Sequence, residues 1–371
     1  MNPDDLLRRS VIGVGPYVPG AGARDLEART GRTDLIRLNW NENLLGPLDG
    51  VLDVVAASLP DTVWAYPEEA YEEFRIAVAR WAGADPAQVI PGHGIQALTL
   101  SLVAALVEPG DRVVIPRPTY GLYASVCAVA GAELIRLETD PDTLAFDLAA
   151  LAEKARQVDA KLVFVCDPNN PTGLRVGRRD WDAFVAALPD RCLAVVDEAY
   201  ADYIEPSDRI DRLADIAAGR PVVVLRTFSK IFGLAGLRLG YLLADESLAP
   251  HLHAVQEPFN VNCAALAAGL ASLERVDQLP ERRAQAVSAR AQLVAPLATV
   301  GIRTLGSDAS FVLVQVGGDD VAICEALARE GWLLRAGSEF GLPGYVRVTI
   351  ADEQLMQRVG AALAHAAGAR R

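Results

Sequence analysis

Short apolar runs alternate with longer helical stretches from about residue 50 to residue 245. The runs are rich in β-branched side chains and are mostly bounded by Pro, Asp or Gly, which predicts buried strands. They comprise residues 113–115, 134–137, 162–165, 193–196 and 222–225. The stretches between them predict helices, and residues 95–107 are apolar nearly all round, which is typical of a buried helix. This alternation predicts an α/β fold with a largely parallel sheet covered by helices on both faces.

The two ends of the chain differ in pattern from this middle part. Residues 1–48 combine a Pro- and Gly-rich stretch, a strand-like run at 35–38 and a polar turn, which predicts an arm. The other end predicts a helical stretch at 264–298 broken at Pro280, strands at 311–316 and 345–350, and helices at 320–330 and 353–367. We therefore expect an arm (1–48) packing with a small α+β domain (264–371), and a large domain (49–263) between them.

The length of 371 residues exceeds one typical core and agrees with a large and a smaller domain. The formal net charge of −13 argues against sequence-independent nucleic-acid binding, which depends on neutralising phosphates. An anionic ligand would therefore need a locally positive pocket. No apolar run is long enough to span a bilayer, and the first residues lack the pattern of a signal peptide. We expect a cytoplasmic protein without a nucleic-acid or membrane partner.

The cysteines and histidines show neither a disulfide framework nor a metal site. The five cysteines are odd in number and widely spaced, without a C-x-x-C pair, which fits reduced thiols in the cytoplasm. The four histidines lack metal-ligand spacing with cysteine or carboxylate neighbours. We therefore expect no metal in the site.

Lys230 is the most informative single residue of the chain. Of 35 basic residues only Lys154, Lys161 and Lys230 are lysines, so arginine meets nearly every general need for positive charge. Lysine, unlike arginine, can lose its proton near neutral pH and attack a carbonyl as a free amine. Lys230 follows Ser229 and precedes a glycine-rich stretch that contains Arg238. This pattern suggests a Schiff base with a phosphorylated aldehyde, although a lone Ser-Lys pair is more often a surface feature.

Residues 88–90 predict a further short strand. This strand and those at 162–165, 193–196 and 222–225 are followed by segments with unusual polar or glycine residues, namely 92–94, 167–173, 197–200 and 229–230. In open α/β sheets, ligands bind just beyond the carboxyl ends of the strands. Each segment alone has an ordinary explanation as a turn or a helix cap. Four of them at strand ends of one predicted sheet favour a ligand site.

The residues of these segments match the needs of pyridoxal 5′-phosphate (PLP). Asp197 is the candidate for the buried carboxylate that keeps the pyridine nitrogen protonated. Asn170 and Tyr200 can donate to the ring oxygen beside the aldehyde, and Lys230 would form the Schiff base and then act as general base and acid. The phosphate needs a helix N-terminus and further donors. The candidates for this end are Gly94, Ile95, Gln96, Ser229 and Arg238.

Several short sequence motifs from these segments also occur together in a known protein family. They are Asn-Asn-Pro-Thr-Gly at 169–173, Asp-Glu-Ala-Tyr at 197–200, Ser-Lys at 229–230 and Gly-Leu-Arg-Leu-Gly-Tyr at 236–241. With them the sequence resembles the fold-type-I PLP-dependent aminotransferases, in particular the histidinol-phosphate aminotransferases and their aromatic amino acid relatives. Further similar stretches run nearly end to end, at 16–20, 41–43, 66–67, 118–121, 258–262 and 340–343. The resemblance implies a large domain with a mostly parallel sheet covered by helices, plus a smaller α+β domain.

The resemblance also implies roles for residues outside these strings. Tyr120 is expected to stack on the PLP ring. Tyr66 is expected to reach the phosphate of the neighbouring subunit's cofactor, so that the site requires a homodimer. Tyr17 and Asn41 belong to an arm that covers the substrate.

Arg347 lies within a predicted apolar strand, where an arginine without a partner would be costly. A carboxylate or phosphate bound through two hydrogen bonds would offset that cost. By the resemblance, Arg347 and Arg335 bind the acidic end of the substrate. An internal salt bridge is the alternative for both.

The chain departs from the family pattern at two places. An acidic pair is usual in the phosphate loop, where this chain has Ile95-Gln96-Ala97, so backbone donors remain but side-chain support is lost. Trp40 and Leu44 stand where a small residue and a proline are common, and a tryptophan there would reshape the pocket.

Three other functions fit parts of the sequence. Residues 92–97 loosely match a dinucleotide fingerprint, but the next strand ends in Pro116-Arg117 instead of an acidic residue. A PLP-dependent decarboxylase of an amino-acid phosphate, similar to threonine-phosphate decarboxylases, would use the same lysine, aspartate and arginine; the strings at 227–230 and 259–262 favour the aminotransferase. A PLP-fold sensor would normally carry a DNA-binding module, for which this length leaves no room.

We therefore predict a homodimeric, cytoplasmic PLP-dependent aminotransferase. The first choice of reaction is histidinol phosphate with 2-oxoglutarate, as in histidine biosynthesis. Aromatic amino acids are the second choice of substrate, and the decarboxylase is the alternative reaction.

Overall fold

The strands of this protein form three sheets in a computed structural model that describes residues 6–15, 27 and 31–368. The described strands are β1 (Ile36–Arg37), β2 (Val89–Gly92), β3 (Arg112–Arg117), β4 (Glu133–Glu138), β5 (Leu162–Cys166), β6 (Leu193–Asp197), β7 (Val222–Thr227), β8 (Gly240–Leu243), β9 (Arg303–Thr304), β10 (Phe311–Gln315), β11 (Trp332–Leu333), β12 (Arg335–Ala336) and β13 (Tyr345–Thr349). Each strand predicted between residues 113 and 225 is present and is extended by one to three residues.

Helices cover these sheets in the described part of the chain. They are α1 (Val51–Thr62), α2 (Glu72–Ala82), α3 (Gly94–Leu106), α4 (Leu122–Ala130), α5 (Leu148–Gln157), α6 (Arg178–Ala187), α7 (Leu213–Ala217), α8 (Ala249–Ala254), α9 (Cys263–Leu273), α10 (Leu279–Thr299), α11 (Asp320–Arg329) and α12 (Glu353–Gly368). No helix in this part is long and apolar enough to cross a membrane.

The largest sheet has seven strands in the order β2-β8-β7-β6-β5-β3-β4. Only β8 runs antiparallel to its neighbours, so the carboxyl ends of the other strands meet at one edge. The segments that follow β5, β6 and β7 therefore lie side by side. Because β8 runs the other way, its first residues reach the same edge, which brings the Arg238 region to the loops after β6 and β7.

Alternate residues of the central strands enter two separate cores, as the pleat requires. On β5, Val163 and Val165 belong to one buried cluster, whereas Leu162 and Phe164 belong to the other. Helices α3, α4 and α8 cover the second face, and α1, α2, α5, α6, α7 and α9 cover the first. Burial on both faces explains why these strands are apolar runs without polar alternation.

A second sheet, β12-β13-β10-β9, is antiparallel and packs with α10 and α12. The arm joins this part of the molecule, because β1 pairs in parallel with β11. The helical stretch predicted at 264–298 is divided as expected, into α9 and α10, but the division lies at residues 274–278 and Pro280 is in the first turn of α10. A proline is tolerated there because the first N–H groups of a helix lack acceptors within it.

Candidate active site

A cavity of about 780 Å³ lies at the carboxyl edge of the large sheet. Residues of the arm, the large sheet and the second sheet all line it. Its volume falls within the roughly 300–1,000 Å³ that is typical of small-molecule sites. The cavity can therefore hold a cofactor together with a substrate.

Most of the predicted site residues meet in this cavity. Those that line it are Asn41, Ile95, Gln96, Tyr120, Asn170, Asp197, Tyr200, Ser229, Lys230, Arg238, Arg335 and Arg347. Gly94 does not line the cavity but begins α3 directly behind Arg238. Tyr66 lies outside it, 82% exposed and stacked on Phe259 at 4.6 Å between ring centroids. Tyr17 lies outside the described residues.

Lys230 follows β7 and extends its side chain into the cavity. Its Nζ donates a hydrogen bond to the backbone oxygen of Asn41 at 3.0 Å. Burial, followed by the positive charge of Arg347, lowers the pKa of Lys230 to about 8. A substantial fraction of this amine is therefore neutral slightly above neutral pH, which is what a lysine nucleophile requires.

Asp197, the last residue of β6, is buried and is held by two donors. Its Oδ2 accepts a hydrogen bond from the Tyr123 hydroxyl at 2.5 Å, and its Oδ1 accepts one from the Ala199 backbone N–H at 3.0 Å. Burial raises the pKa of Asp197, and these two hydrogen bonds act against that rise. These two hydrogen bonds therefore stabilise the ionised carboxylate of Asp197, whereas burial by itself favours the neutral acid.

Asn41 connects the arm to the carboxyl edge of the large sheet. Its Nδ2 donates to the Tyr200 hydroxyl oxygen at 2.9 Å, and its backbone N–H donates to Thr349 at 3.1 Å. Asn41 has a φ of 57°, as Arg238 has one of 56°, which is unusual for residues other than glycine. Such backbone conformations cluster at functional sites, where the surrounding structure holds them.

The start of α3 and Arg238 form a compact cationic corner of the cavity. The first N–H groups of a helix lack intrahelical acceptors and favour anions. At Gly94, with a φ of 75°, an added Cβ would lie 2.8 Å from Arg238 Nη2. At Gly240, an added Cβ would lie 2.8 Å from the Arg226 oxygen and 3.1 Å from the Ile95 nitrogen. Glycine at both positions therefore allows Arg238 and the first strand residue of β8 to approach the helix N-terminus.

Arg335 and Arg347 are directly opposite each other on β12 and β13, and both line the cavity. Arg347 donates to the Asn170 Oδ1 at 2.6 Å and to the Asn39 backbone oxygen at 2.5 Å. Arg335 pairs with Glu339 at 2.9 Å. Like charges on facing strand positions repel, so this arrangement favours an anion between them.

The lining of the cavity carries an excess of positive charge, although the chain as a whole has a net charge of −13. Six lining residues are cationic and three are acidic. The cationic ones are Arg117, Arg136, Lys230, Arg238, Arg335 and Arg347, and the acidic ones are Glu42, Asp197 and Glu339. Such a pocket attracts ligands with more than one negative charge.

A buried ionic network behind the site escaped the sequence analysis. Arg212 donates to Asp167 and, at 2.5 Å, to Glu198, which also accepts from Arg226 at 2.7 Å. Asp167 begins the loop that carries Asn170, and Glu198 follows the last residue of β6. The network therefore fixes two neighbouring loops of the site. No motif marks Arg212, because it belongs to a loop that lies far from both acids in sequence.

Tyr123 was also missed, although a signal for it exists. It lies three residues after Tyr120, just inside the start of α4, and this short separation along the chain brings the two rings into contact. Trp40, noted as a departure from the family, lines the cavity.

No group of three or more metal-ligating side chains is found among the described residues.

Comparison with known proteins agrees with this geometry. The family model described as aminotransferase class I and II matches residues 33–363. The histidinol-phosphate aminotransferase of Symbiobacterium thermophilum is 38% identical over 98% of this chain and 99% of its own, and that of Moorella thermoacetica is 35% identical over 92% and 88%. The structure of a Sinorhizobium meliloti histidinol-phosphate aminotransferase in complex with pyridoxal 5′-phosphate covers 98% of both chains, with a TM-score of 0.90 and 29% identity. The chain therefore belongs to the class I and II aminotransferases and has their fold-type-I architecture.

Proposed function

We propose that this aminotransferase uses PLP to transfer the amino group of histidinol phosphate to 2-oxoglutarate. The observation that carries the proposal is a partly buried lysine with a lowered pKa in a cavity whose lining has six cationic and three acidic side chains. Both histidinol phosphate and 2-oxoglutarate carry more than one negative charge, which suits this excess. The relatives that share 35–38% of their residues with the chain are named for the first of these substrates.

The donors of the cavity suit each part of PLP. Asp197 would face the ring nitrogen, Asn170 and Tyr200 the ring oxygen, and Tyr120 the face of the ring. The phosphate would bind the N-terminus of α3 at Gly94, Ile95 and Gln96, together with Ser229 and Arg238. When bound, PLP supplies the electron sink that stabilises negative charge at the substrate Cα.

Lys230 would act twice in the reaction. With a pKa of about 8, enough of the amine is neutral near neutral pH for Lys230 to hold the cofactor through its aldehyde carbon, with loss of water. When the substrate amine takes its place, the freed Nζ would serve as the base for the proton on the substrate Cα. The backbone oxygen of Asn41, 3.0 Å from Nζ, is an acceptor that orients this amine.

Arg335 and Arg347 would bind the phosphate of the amino donor and, in the second half of the reaction, a carboxylate of 2-oxoglutarate. Their opposed positions on β12 and β13 allow one anion to contact both guanidinium groups. Tyr17 and Asn41 of the arm would complete the substrate side of the cavity.

We further propose a homodimer in which Tyr66 reaches the partner's cofactor phosphate. Val63, Trp64 and Tyr66 are 67–82% exposed and lie together after α1, and such an exposed apolar group supports a contact with a second copy.

For the domains, the packing of α9 on α1 and α2 favours a boundary nearer Leu279 than residue 264. We place the enzyme in the cytoplasm, where the five free cysteines would stay reduced.

A single half-reaction tests the proposed function. The PLP-loaded protein is mixed with excess histidinol phosphate and no 2-oxo acid, while the absorbance of the cofactor and the products are followed. We expect conversion of the cofactor to pyridoxamine phosphate, with one equivalent of the matching keto product. Addition of 2-oxoglutarate should then restore the starting spectrum.

Each of the other possible results would contradict a different part of the proposal. A spectrum that changes with phenylalanine or tyrosine but not with histidinol phosphate would assign an aromatic substrate. Release of carbon dioxide from threonine phosphate, without pyridoxamine phosphate, would assign the decarboxylase. Failure to bind PLP would reject the cofactor assignment itself.

A further inference from the structure

Tyr123 makes one of the two hydrogen bonds that the described residues give to the Asp197 carboxylate. Its hydroxyl lies 2.5 Å from Asp197 Oδ2, and both side chains are buried, with 0% and 3% exposure. Burial raises the pKa of Tyr123 well above its ordinary value, so the phenol keeps its proton and acts as the donor. A buried carboxylate without such donors would be costly to ionise.

The position of the phenol is fixed from two sides. The Tyr123 ring stacks on Phe164 of β5 with centroids 4.6 Å apart and planes at 12°. It meets the Tyr120 ring edge-on at 5.5 Å and 87°. Tyr123 therefore connects the residue expected to stack on the cofactor with the carboxylate expected to face its ring nitrogen. A rigid phenol between the two sets the direction in which the carboxylate points.

We propose that Tyr123 is a positioning residue that orients the Asp197 carboxylate toward the ring nitrogen of PLP and keeps it ionised. This inference rests on the proposed function, because it requires PLP in the cavity. The Ala199 N–H holds Oδ1 and Tyr123 holds Oδ2, so each oxygen retains a lone pair for the ring nitrogen. Tyr123 acts through Asp197 and does not itself line the cavity.

The test compares two cofactors in two proteins. Tyr123→Phe removes only the hydroxyl and keeps the ring that stacks on Phe164. Apoprotein of the full chain is titrated with PLP and with the deaza analogue, in which a C–H replaces the ring nitrogen, and the ratio of the two dissociation constants is taken. The unfolding midpoint of both apoproteins shows that the substitution leaves the fold intact.

We expect the wild-type protein to prefer PLP over the analogue, and the preference to fall about tenfold in Tyr123→Phe, since a hydrogen bond to a charged group is lost. Tyr203→Phe removes the hydroxyl of a partly buried tyrosine outside the cavity lining and should keep the wild-type ratio. An unchanged ratio in Tyr123→Phe, or an equal loss of affinity for both cofactors, would show a structural role only and overturn the inference. A wild-type protein that binds PLP without preferring it would also overturn it, whereas one that does not bind PLP would reject the proposed function.

Discussion

At the scale of the residue, the cavity changes what Lys230 can do. A lysine in water keeps its proton to a pH well above neutral. Burial and the nearby charge of Arg347 lower the pKa of Lys230 from 10.5 to about 8. The positive lining that attracts an anionic ligand thus also makes the lysine a better nucleophile.

The rate at which apoprotein captures PLP should follow this pKa. Only the neutral amine attacks, so the rate of forming a borohydride-trappable bond at Lys230 should rise about tenfold per pH unit below pH 8 and level off above it. After brief mixing and reduction, the cofactor is covalently attached to Lys230, and mass spectrometry measures the fraction of the protein that carries this label. A rate that keeps rising until the pH reaches the ordinary pKa of lysine would contradict the lowered pKa of Lys230.

Two kinds of variant serve as controls for this experiment. Lys230→Ala should lose both the label and transamination while still binding PLP through its other contacts. Lys154→Ala and Lys161→Ala should retain both, because neither residue lines the cavity. A label that persists in Lys230→Ala would move the nucleophile to another residue.

At the scale of the element, the loops after β5 and β6 are held together by Arg212. Its side chain is 3% exposed and contacts Asp167 on one loop and Glu198 on the other. The guanidinium also lies 4.5 Å from the centroid of the Trp181 ring. Charges this deeply buried are tolerated only while each has its partners.

Arg212→Met should therefore destabilise the protein by about 3–5 kcal/mol, because Asp167 loses its ionic partner in a buried place. Arg220→Met is the matched control: Arg220 is 45% exposed and pairs with Asp215, so its loss should cost about 1 kcal/mol or less. Urea unfolding of both variants at one protein concentration gives the comparison. Equal stability of the two variants would mean that the network contributes no more than a surface pair.

At the scale of the whole molecule, an exposed aromatic surface lies outside the cavity. Tyr66 is 82% exposed and stacks on Phe259, and Trp64 beside it is 79% exposed. Large exposed aromatic groups of this kind are typical of interfaces. If a second copy covers this surface, Tyr66 belongs to the site of the partner subunit.

Mixed dimers test this assignment. Lys230→Ala and Tyr66→Ala chains are unfolded together, refolded and assayed. In a mixed dimer, the site with the intact Lys230 receives the intact Tyr66 of the other chain, so random mixing should restore about a quarter of wild-type activity. A mixture no more active than the average of its two parents would show that Tyr66 does not act across a subunit interface.

Much of the fold follows from the sequence, because burial on both faces makes a parallel strand a continuous apolar run. Runs such as 162–165 and 193–196 therefore predicted β5 and β6 nearly to the residue. Pro280 correctly indicated that the helical stretch 264–298 is divided, although the division lies at residues 274–278, just before a helix whose first turn contains this proline. Whether Tyr66 acts across subunits stays a prediction.

The sequence by itself determined the family and indicated which groups are expected to carry the chemistry, because a lysine, a carboxylate after a strand and a glycine-rich helix start are recognised from residue type and local spacing alone. The family prediction made from these strings is confirmed by the comparisons. Only the tertiary structure decided what tunes those groups. Tyr123 meets Asp197, and Arg212 meets Asp167 and Glu198, across 14 to 74 residues of chain. Such contacts depend on how the strands and helices pack, and a pKa depends on the burial and charges that this packing brings together.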